Sequence, residues 1–179
     1  SVPQIRERFE ALLQSPQSAE EDVASGTEKS IGLAAVVSGT VIDMTEVKDE
    51  MFSQKMMGDG VAVVPTSQTV LAPADAEVTM VMAHSLHAVG LRMASGVELL
   101  IHVGIDTVKM NGEGFKLLTT QGAQVKAGTP LLSFNAAAIQ KAGYDTTVVM
   151  AVTNAAEYPL MKKQTGVQAV AGKTTVMTF

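Results

Sequence analysis

The chain has 179 residues, of which 46% are hydrophobic, enough for one domain of ordinary size with a substantial core. A formal net charge of −5 provides none of the basic surface that nucleic-acid binding needs, and the absence of cysteine excludes disulfides and thiol chemistry. No run of about 18 uncharged apolar residues occurs, so we expect no direct membrane insertion and a cytoplasmic location.

The N-terminal part of the chain differs from the rest. Residues 1–15 carry apolar side chains at helical spacing, which predicts a short helix, and the residues after them are small, polar and acidic, as in solvated linkers. We therefore expect a helix and linker over residues 1–33, following a preceding domain such as a membrane permease, and a folded domain over residues 34–179.

From residue 34 onward, short β-rich runs alternate with Gly, Pro and Asp. Strands are predicted over 35–42, 60–65, 69–71, 76–82, 87–92, 97–103, 124–125, 129–134, 147–152 and 174–178. Residues 46–57 and 136–143 are predicted as short helices. Many short strands at spacings near ten residues predict an all-β domain, an antiparallel sandwich or barrel with a few short helical turns.

Two histidines lie on opposite arms of a predicted hairpin with its turn near residues 94–96. If the turn is centred between Ala94 and Ser95, residues whose numbers add to 189 face each other, and 87 plus 102 is 189. His87 and His102 would then be direct cross-strand neighbours, able to share a metal, a proton or a phosphoryl group. A turn shifted by one residue makes the pair diagonal. Ser85 is predicted on the same face as His87.

His102 ends a strongly apolar strand and is followed by Gly104. A glycine there lets a backbone carbonyl approach the ring and fix its tautomer, which leaves the other nitrogen free as a nucleophile. The alternative is a hydrogen-bonded histidine with a structural role only.

Two other kinds of site are less well supported. A zinc site needs further ligands, and His84 would lie on the opposite strand face from His87. Residues 166–174 have glycines and a Lys-Thr pair, but their spacing and the few residues that follow do not fit a phosphate-binding loop. No cofactor or metal is therefore predicted. Phe52, Met56 and Met57 could be core residues or an exposed apolar rim.

A set of motifs follows in order along the chain: Ser38-Gly39-Thr40, then Phe52 leading into Met57-Gly58-Asp59-Gly60, then Leu71-Ala72-Pro73, His87, and the continuous run from Gly96 to Phe115. With them, the stretch from about Ala34 to Phe179 resembles the glucose-type EIIA domain of the bacterial phosphoenolpyruvate-dependent sugar phosphotransferase system. The resemblance covers roughly four fifths of the chain.

The resemblance implies that His102 is phosphorylated by the phosphohistidine of the carrier protein HPr and that the phosphate passes to the EIIB domain of a sugar permease. His87 would stabilise the phosphoryl group, and Ser85 would orient His87. Gly104 would supply the carbonyl that holds the phosphorylated ring. Phosphoryl transfer between two imidazoles needs mainly positioning and charge balance, so neither metal nor nucleotide is required.

The resemblance also implies supporting and docking residues around this pair. Asp49 and Asp106 would flank the site and meet a basic side chain of the donor. An apolar docking rim is predicted from Val47, Phe52, Met57 and Val103. Two other functions stay open: a phosphorylation-dependent regulatory domain attached to or acting on a sugar transporter, and a zinc peptidase-like domain. The domain could also be fused to a membrane EIIBC unit.

Overall fold

A computed structural model describes residues 32–179, so the helix and linker predicted before Gly32 lie outside the described residues. The strands are β1 Gly32–Ala34, β2 Gly39–Asp43, β3 Asp59–Pro65, β4 Thr69–Leu71, β5 Ala76–Val81, β6 Ala88–Met93, β7 Glu98–Val103, β8 Phe115–Leu117, β9 Gln124–Val125, β10 Pro130–Phe134, β11 Val148–Val152, β12 Lys162–Lys163, β13 Gln168–Ala169 and β14 Thr175–Thr178. Two short α-helices are α1 Glu50–Ser53 and α2 Ala136–Lys141, and 3-10 turns span Met44–Glu46, Thr107–Met110 and Ala155–Glu157.

The described strands form three sheets in which every pairing is antiparallel. The largest has eight strands in the order β13-β2-β3-β11-β7-β6-β5-β9, and the two smaller sheets have the orders β1-β14-β12 and β4-β10-β8. The prediction of an antiparallel all-β domain with a few short helical turns is confirmed. No helix among residues 32–179 is long and apolar enough to cross a membrane.

The eight-stranded sheet is covered by apolar side chains on both faces. Successive side chains of a strand point to opposite faces. Accordingly Ile101 and Val103 join the larger core cluster, whereas Leu100 joins a smaller cluster that includes Phe52 of α1. The side chain of His102, two residues after Leu100 in β7, points to the same face as Leu100, which is the face of the smaller cluster. This cluster and α1 therefore form the surroundings of His102.

Several local predictions need correction. The predicted strand over 35–42 begins only at Gly39, because the preceding apolar residues bridge between sheets: the Ala35 N–H donates to the Thr174 carbonyl (2.8 Å) and the Val36 carbonyl accepts from the Leu71 N–H (2.8 Å). Strands β1, β8 and β12 were not predicted. Each has only two or three residues, so alternation alone does not reveal it, whereas the equally short β4 and β9 were predicted.

The helix predicted over residues 46–57 is reduced to the single turn α1. The Asp49 carboxylate begins it by accepting the Met51 N–H (2.8 Å). It ends after Ser53, and Lys55 adopts a left-handed backbone with φ of 60° that turns the chain towards β3. The segment between β2 and β3 is thus a series of short turns.

An ion-pair cluster ties β12 to the ends of β2 and β3. The Lys163 ammonium lies 2.8 Å from an Asp43 carboxylate oxygen and 3.0 Å from one of Asp59. Burial by itself raises the pKa of Asp43, but Lys163 and the N–H and hydroxyl of Thr45 hold the pKa at about 2. The ion-pair cluster fixes the start of β3. This strand pairs with β11, which in turn pairs with β7, the strand that carries His102.

Candidate functional site

The β6–β7 hairpin forms, but its predicted register is wrong by one residue. Ala88 faces His102 and Arg92 faces Glu98, so facing residues add to 190. The connection is a three-residue loop over 94–96, across which the Met93 N–H donates to the Val97 carbonyl (2.9 Å), and Gly96 takes a positive φ of 99°. The three-residue loop is centred on Ser95, whereas the predicted turn was centred between Ala94 and Ser95. The sum of facing residue numbers therefore rises from 189 to 190.

The two imidazoles nevertheless meet, although not as directly opposed strand residues. His87 precedes β6, and its carbonyl accepts the Val103 N–H (2.8 Å). Leu86, with φ of 60°, turns the chain just before His87. The side chain of His87 therefore need not follow the alternation of side chains along β6. The ring centroids of His87 and His102 lie 4.6 Å apart with the rings almost perpendicular, at 88°. The pair is diagonal and in close contact.

His87 is held in a buried, hydrogen-bonded position. Its side chain is only 3% exposed, and Nδ1 lies 2.8 Å from the hydroxyl of Ser85, which is itself 4% exposed. Burial lowers the pKa of His87 because the charged ring would lose hydration. His87 is therefore a neutral imidazole at pH 7, and the contact with Ser85 fixes its orientation.

His102 lies between His87 and Phe52, whose ring centroid is 5.0 Å away. Burial lowers the pKa of His102 to about 4, and the neighbouring His87 acts in the same direction, whereas the Gly104 carbonyl and the Asp106 charge raise it. Nδ1 of His102 is buried and makes no hydrogen bond of good geometry with the described residues, although the Gly104 backbone lies close enough to raise the pKa of the ring. His102 is thus neutral at pH 7 and offers a free ring nitrogen.

Backbone hydrogen bonds from a neighbouring loop hold the turn after His102. The Gly104 N–H donates to the Thr147 carbonyl (2.8 Å), and the Ile105 N–H donates to the Asp145 carbonyl (3.0 Å). The Asp145 carboxylate in turn accepts the N–H (2.8 Å) and the hydroxyl (2.6 Å) of Thr147. This arrangement sets where Gly104 and Asp106 lie relative to the ring.

A buried threonine completes this turn. The Thr107 hydroxyl donates to the Val103 carbonyl (2.5 Å), and a Cβ on Gly104 would come within 2.3 Å of the Thr107 methyl carbon. Sequence reasoning missed Asp145, Thr147 and Thr107. The Asp145-Thr-Thr spacing is typical of an Asx-turn and is the signal that could have indicated the loop.

The predicted docking rim is wrong for three of its four members. Val47, Phe52 and Val103 are buried, Phe52 against the His102 ring and Val103 in the larger core cluster. Met57 is partly exposed. The exposed apolar side chains of this segment are Met51 and Met56, which the short, turned backbone around α1 directs outward.

The remaining predicted residues occupy distinct positions. Asp106 is exposed in the turn after Gly104, with a left-handed φ of 63°. Asp49 caps α1, which carries Phe52. Within residues 32–179, no group of three or more histidine, cysteine or acidic side chains is arranged to hold a metal ion.

We expect the imidazole of His102 to titrate with a midpoint near pH 4 in the folded protein. Its pKa is lowered from 6.5, so the unfolded state binds more protons between these values, and stability falls as the pH drops from 6.5 towards 4. The linked loss is on the order of 3 kcal/mol by the time both states are protonated. Histidine NMR signals followed against pH measure the midpoint, with the urea-unfolded chain as the reference. A folded-state midpoint at 6.5 would contradict the buried position of the ring.

Comparisons with known proteins show which family the chain belongs to. The family described as phosphoenolpyruvate-dependent sugar phosphotransferase system, EIIA 1, matches residues 31–158. A glucose-specific EIIA component from Bacillus cereus is 41% identical over 145 residues, which cover 81% of this chain and 87% of that relative. A mannose-specific EIIBCA component from Corynebacterium glutamicum is 43% identical over 128 residues, 72% of this chain and 19% of that relative. The solved structure of glucose permease IIA from Mycoplasma capricolum matches with a TM-score of 0.70 and 30% identity, covering 84% of this chain and 96% of that one.

Proposed function

Because the chain belongs to the EIIA 1 family of the phosphoenolpyruvate-dependent sugar phosphotransferase system, we propose that His102 accepts phosphate from phospho-HPr and passes it to an EIIB unit. Members of this family are phosphotransferase components of sugar uptake, and this chain is one of them. The observation that carries the residue assignment is the pair of neutral imidazoles 4.6 Å apart, one of them fixed by a buried serine.

The nucleophile in this proposal is Nε2 of His102. Nδ1 is buried, so it cannot reach a donor protein, and in this proposal it carries the proton of the neutral ring, which leaves the Nε2 lone pair free. The Nε2 lone pair forms the new P–N bond while the P–N bond to the donor imidazole breaks and its electron pair returns to the donor ring. A lowered pKa supports this role because a protonated ring has no lone pair to attack with.

His87 stabilises the phosphoryl oxygens in the proposed mechanism. If the Ser85 hydroxyl donates to Nδ1 of His87, the proton of the neutral His87 ring lies on Nε2 and can be donated to a phosphoryl oxygen. The charge on the transferring group is spread over its oxygens, so a fixed donor lowers the barrier in both directions of transfer. Ser85 is a positioning residue that acts through His87.

The donor surface is proposed to centre on Met51 and Met56, the exposed apolar side chains of the segment that carries Phe52. Methionine side chains adapt to different partners, which suits a domain that must bind a donor and an acceptor in turn. Asp106 and Asp49 add negative charge for a basic side chain of HPr. Such an interface is modest in area and transient.

The proposed domain organisation is supported by a relative in which an EIIA region is part of a longer chain. We propose that the phosphocarrier domain begins at Gly32, two residues before the boundary predicted from the sequence, because β1 pairs with β14, and that the residues before it form a linker, with the domain in the cytoplasm or tethered at the inner face of the membrane. The Corynebacterium relative, an EIIBCA component, supports a permease as partner, because there an EIIA region is joined to other EII parts in one chain.

The experiment that tests this function is incubation with phosphoenolpyruvate, enzyme I and HPr, followed by detection of acid-labile phosphate and mapping of the labelled residue. Label on His102 that a purified EIIB removes supports the relay. Stable label that no EIIB removes favours the alternative of a regulatory domain acting on a sugar transporter. An unlabelled protein contradicts the proposal.

We expect His87→Ala to accept phosphate but to pass it on at least tenfold more slowly, because one fixed donor to the transferring group is lost. Rapid-quench measurement of radioactive phosphate moving from the labelled domain to EIIB gives the rate. His84→Ala removes an exposed histidine nearby and serves as the matched control. Equal onward rates for the His87 variant and the wild type would remove His87 from the mechanism.

A further inference from the structure

Methionine provides all the sulfur of this chain, which has eleven methionines and no cysteine. All eleven lie within the described residues. Met44, Met93, Met150 and Met177 are buried, and five others are partly buried. Only Met56, at 64%, and Met51, at 45%, are largely exposed. An oxidant in solution therefore meets these two thioethers first.

The two exposed methionines lie in α1 and in the turn that follows it, beside the proposed phosphoryl acceptor His102. The Met51 carbonyl accepts the N–H of Met56 (3.0 Å) and that of Met57 (3.2 Å), so the backbones of Met51 and Met56 lie side by side. Between them in sequence, Phe52 turns inward and places its ring 5.0 Å from that of His102. The two most exposed methionines of the chain thus lie at the centre of its proposed docking surface.

We propose that Met51 and Met56 form an oxidation site at which conversion to sulfoxide weakens docking of the phosphoryl donor at His102. The inference rests on the proposed function. In the reaction, the thioether sulfur attacks one oxygen of hydrogen peroxide, an S–O bond forms, the O–O bond breaks, and the second oxygen leaves as water. Sulfur is oxidised by two electrons and the peroxide is reduced. The product is reversible by methionine sulfoxide reductases.

The change acts on binding because a sulfoxide replaces an apolar, flexible side chain with a polar one. A donor protein that buries these side chains must then remove water from the sulfoxide oxygen, a strong hydrogen-bond acceptor, without supplying a hydrogen-bond donor in its place. Oxidation leaves the rings of His102 and His87 unchanged, so the groups that carry out phosphoryl transfer within the bound complex are still present. We expect the KM for phospho-HPr to rise about tenfold, with a much smaller change in kcat.

The test oxidises the full chain alone with limiting hydrogen peroxide, removes the peroxide, maps sulfoxides by peptide mass spectrometry, and then measures transfer from phospho-HPr over a range of donor concentrations. Sulfoxide should appear at Met51 and Met56 first, the KM should rise, and treatment with sulfoxide reductases should restore it. In a Met51→Leu/Met56→Leu variant, the KM after peroxide divided by its own value before peroxide should be near one.

Met110→Leu/Met161→Leu is the matched control, because those methionines are partly buried and pack against the larger core cluster. Its KM should rise after peroxide as the wild-type value does. Sulfoxide at Met51 and Met56 with an unchanged KM would overturn the inference and leave the proposed function intact. An equal rise in the Met51→Leu/Met56→Leu variant would also overturn it. If the untreated protein accepts no phosphate from HPr, both the proposed function and this inference fail.

Discussion

His102→Ala should take up no acid-labile phosphate from phosphoenolpyruvate, enzyme I and HPr, because it removes the atom that forms the new P–N bond. In the folded protein no other histidine can replace it. Nδ1 of His87 is engaged by Ser85, and His87 is only 3% exposed. His84 is exposed but lies outside the ring pair. The expected effect is loss of label to the background of the assay, a larger change than any supporting residue should cause.

The control for this experiment is a variant that keeps the fold and the second ring. His102→Gln preserves polar character and approximate length at a partly exposed position, so it should fold and also fail to be labelled. His84→Ala should be labelled like the wild type. Thermal unfolding of all variants checks that absence of label is not absence of fold. Phosphate retained in either His102 variant would reject His102 as the acceptor.

The sequence predicted those parts of the site that depend on strand pattern. The apolar run ending at His102 predicted β7, and the two histidines were recognised as a pair. The register could not be predicted to the residue, because loops of two and three residues are both compatible with Ala94-Ser95-Gly96. The rings meet all the same, since His87 lies just before β6, where the left-handed turn at Leu86 frees its side chain from the alternation of the strand.

Features that depend on distant contacts were not predictable. Val47 and Phe52 were predicted in an exposed docking rim, but the turns between β2 and β3 place both in the smaller cluster beside His102. The support of the Gly104 turn comes from Asp145 and Thr147, about forty residues further along the chain. No local pattern around His102 indicates partners at that distance.

Gly104→Ala should lower the free energy of unfolding by about 2–4 kcal/mol, because it combines an unfavourable backbone with a collision in a buried turn. Gly104 has a φ of 81°, which side-chain-bearing residues rarely adopt. Its new Cβ would lie 2.3 Å from Cγ2 of Thr107 and 3.0 Å from the Asp145 carbonyl oxygen. Thr107 is fully buried and its hydroxyl is bound to the Val103 carbonyl, so it cannot rotate away without losing that bond.

Gly128→Ala separates the two causes. Gly128 has a similar φ of 88° but nothing within 4 Å of an added Cβ, so it should lose only about 1 kcal/mol from the backbone. Urea unfolding of both variants gives the difference that belongs to the collision. Thr107→Ser in the Gly104→Ala background removes the colliding methyl and keeps the hydroxyl, so it should restore part of that difference. Equal losses for the two glycine variants would show that the turn after His102 yields easily. The proposed mechanism requires the opposite, because a turn that yields could not hold the Gly104 carbonyl and Asp106 in place beside the reacting ring.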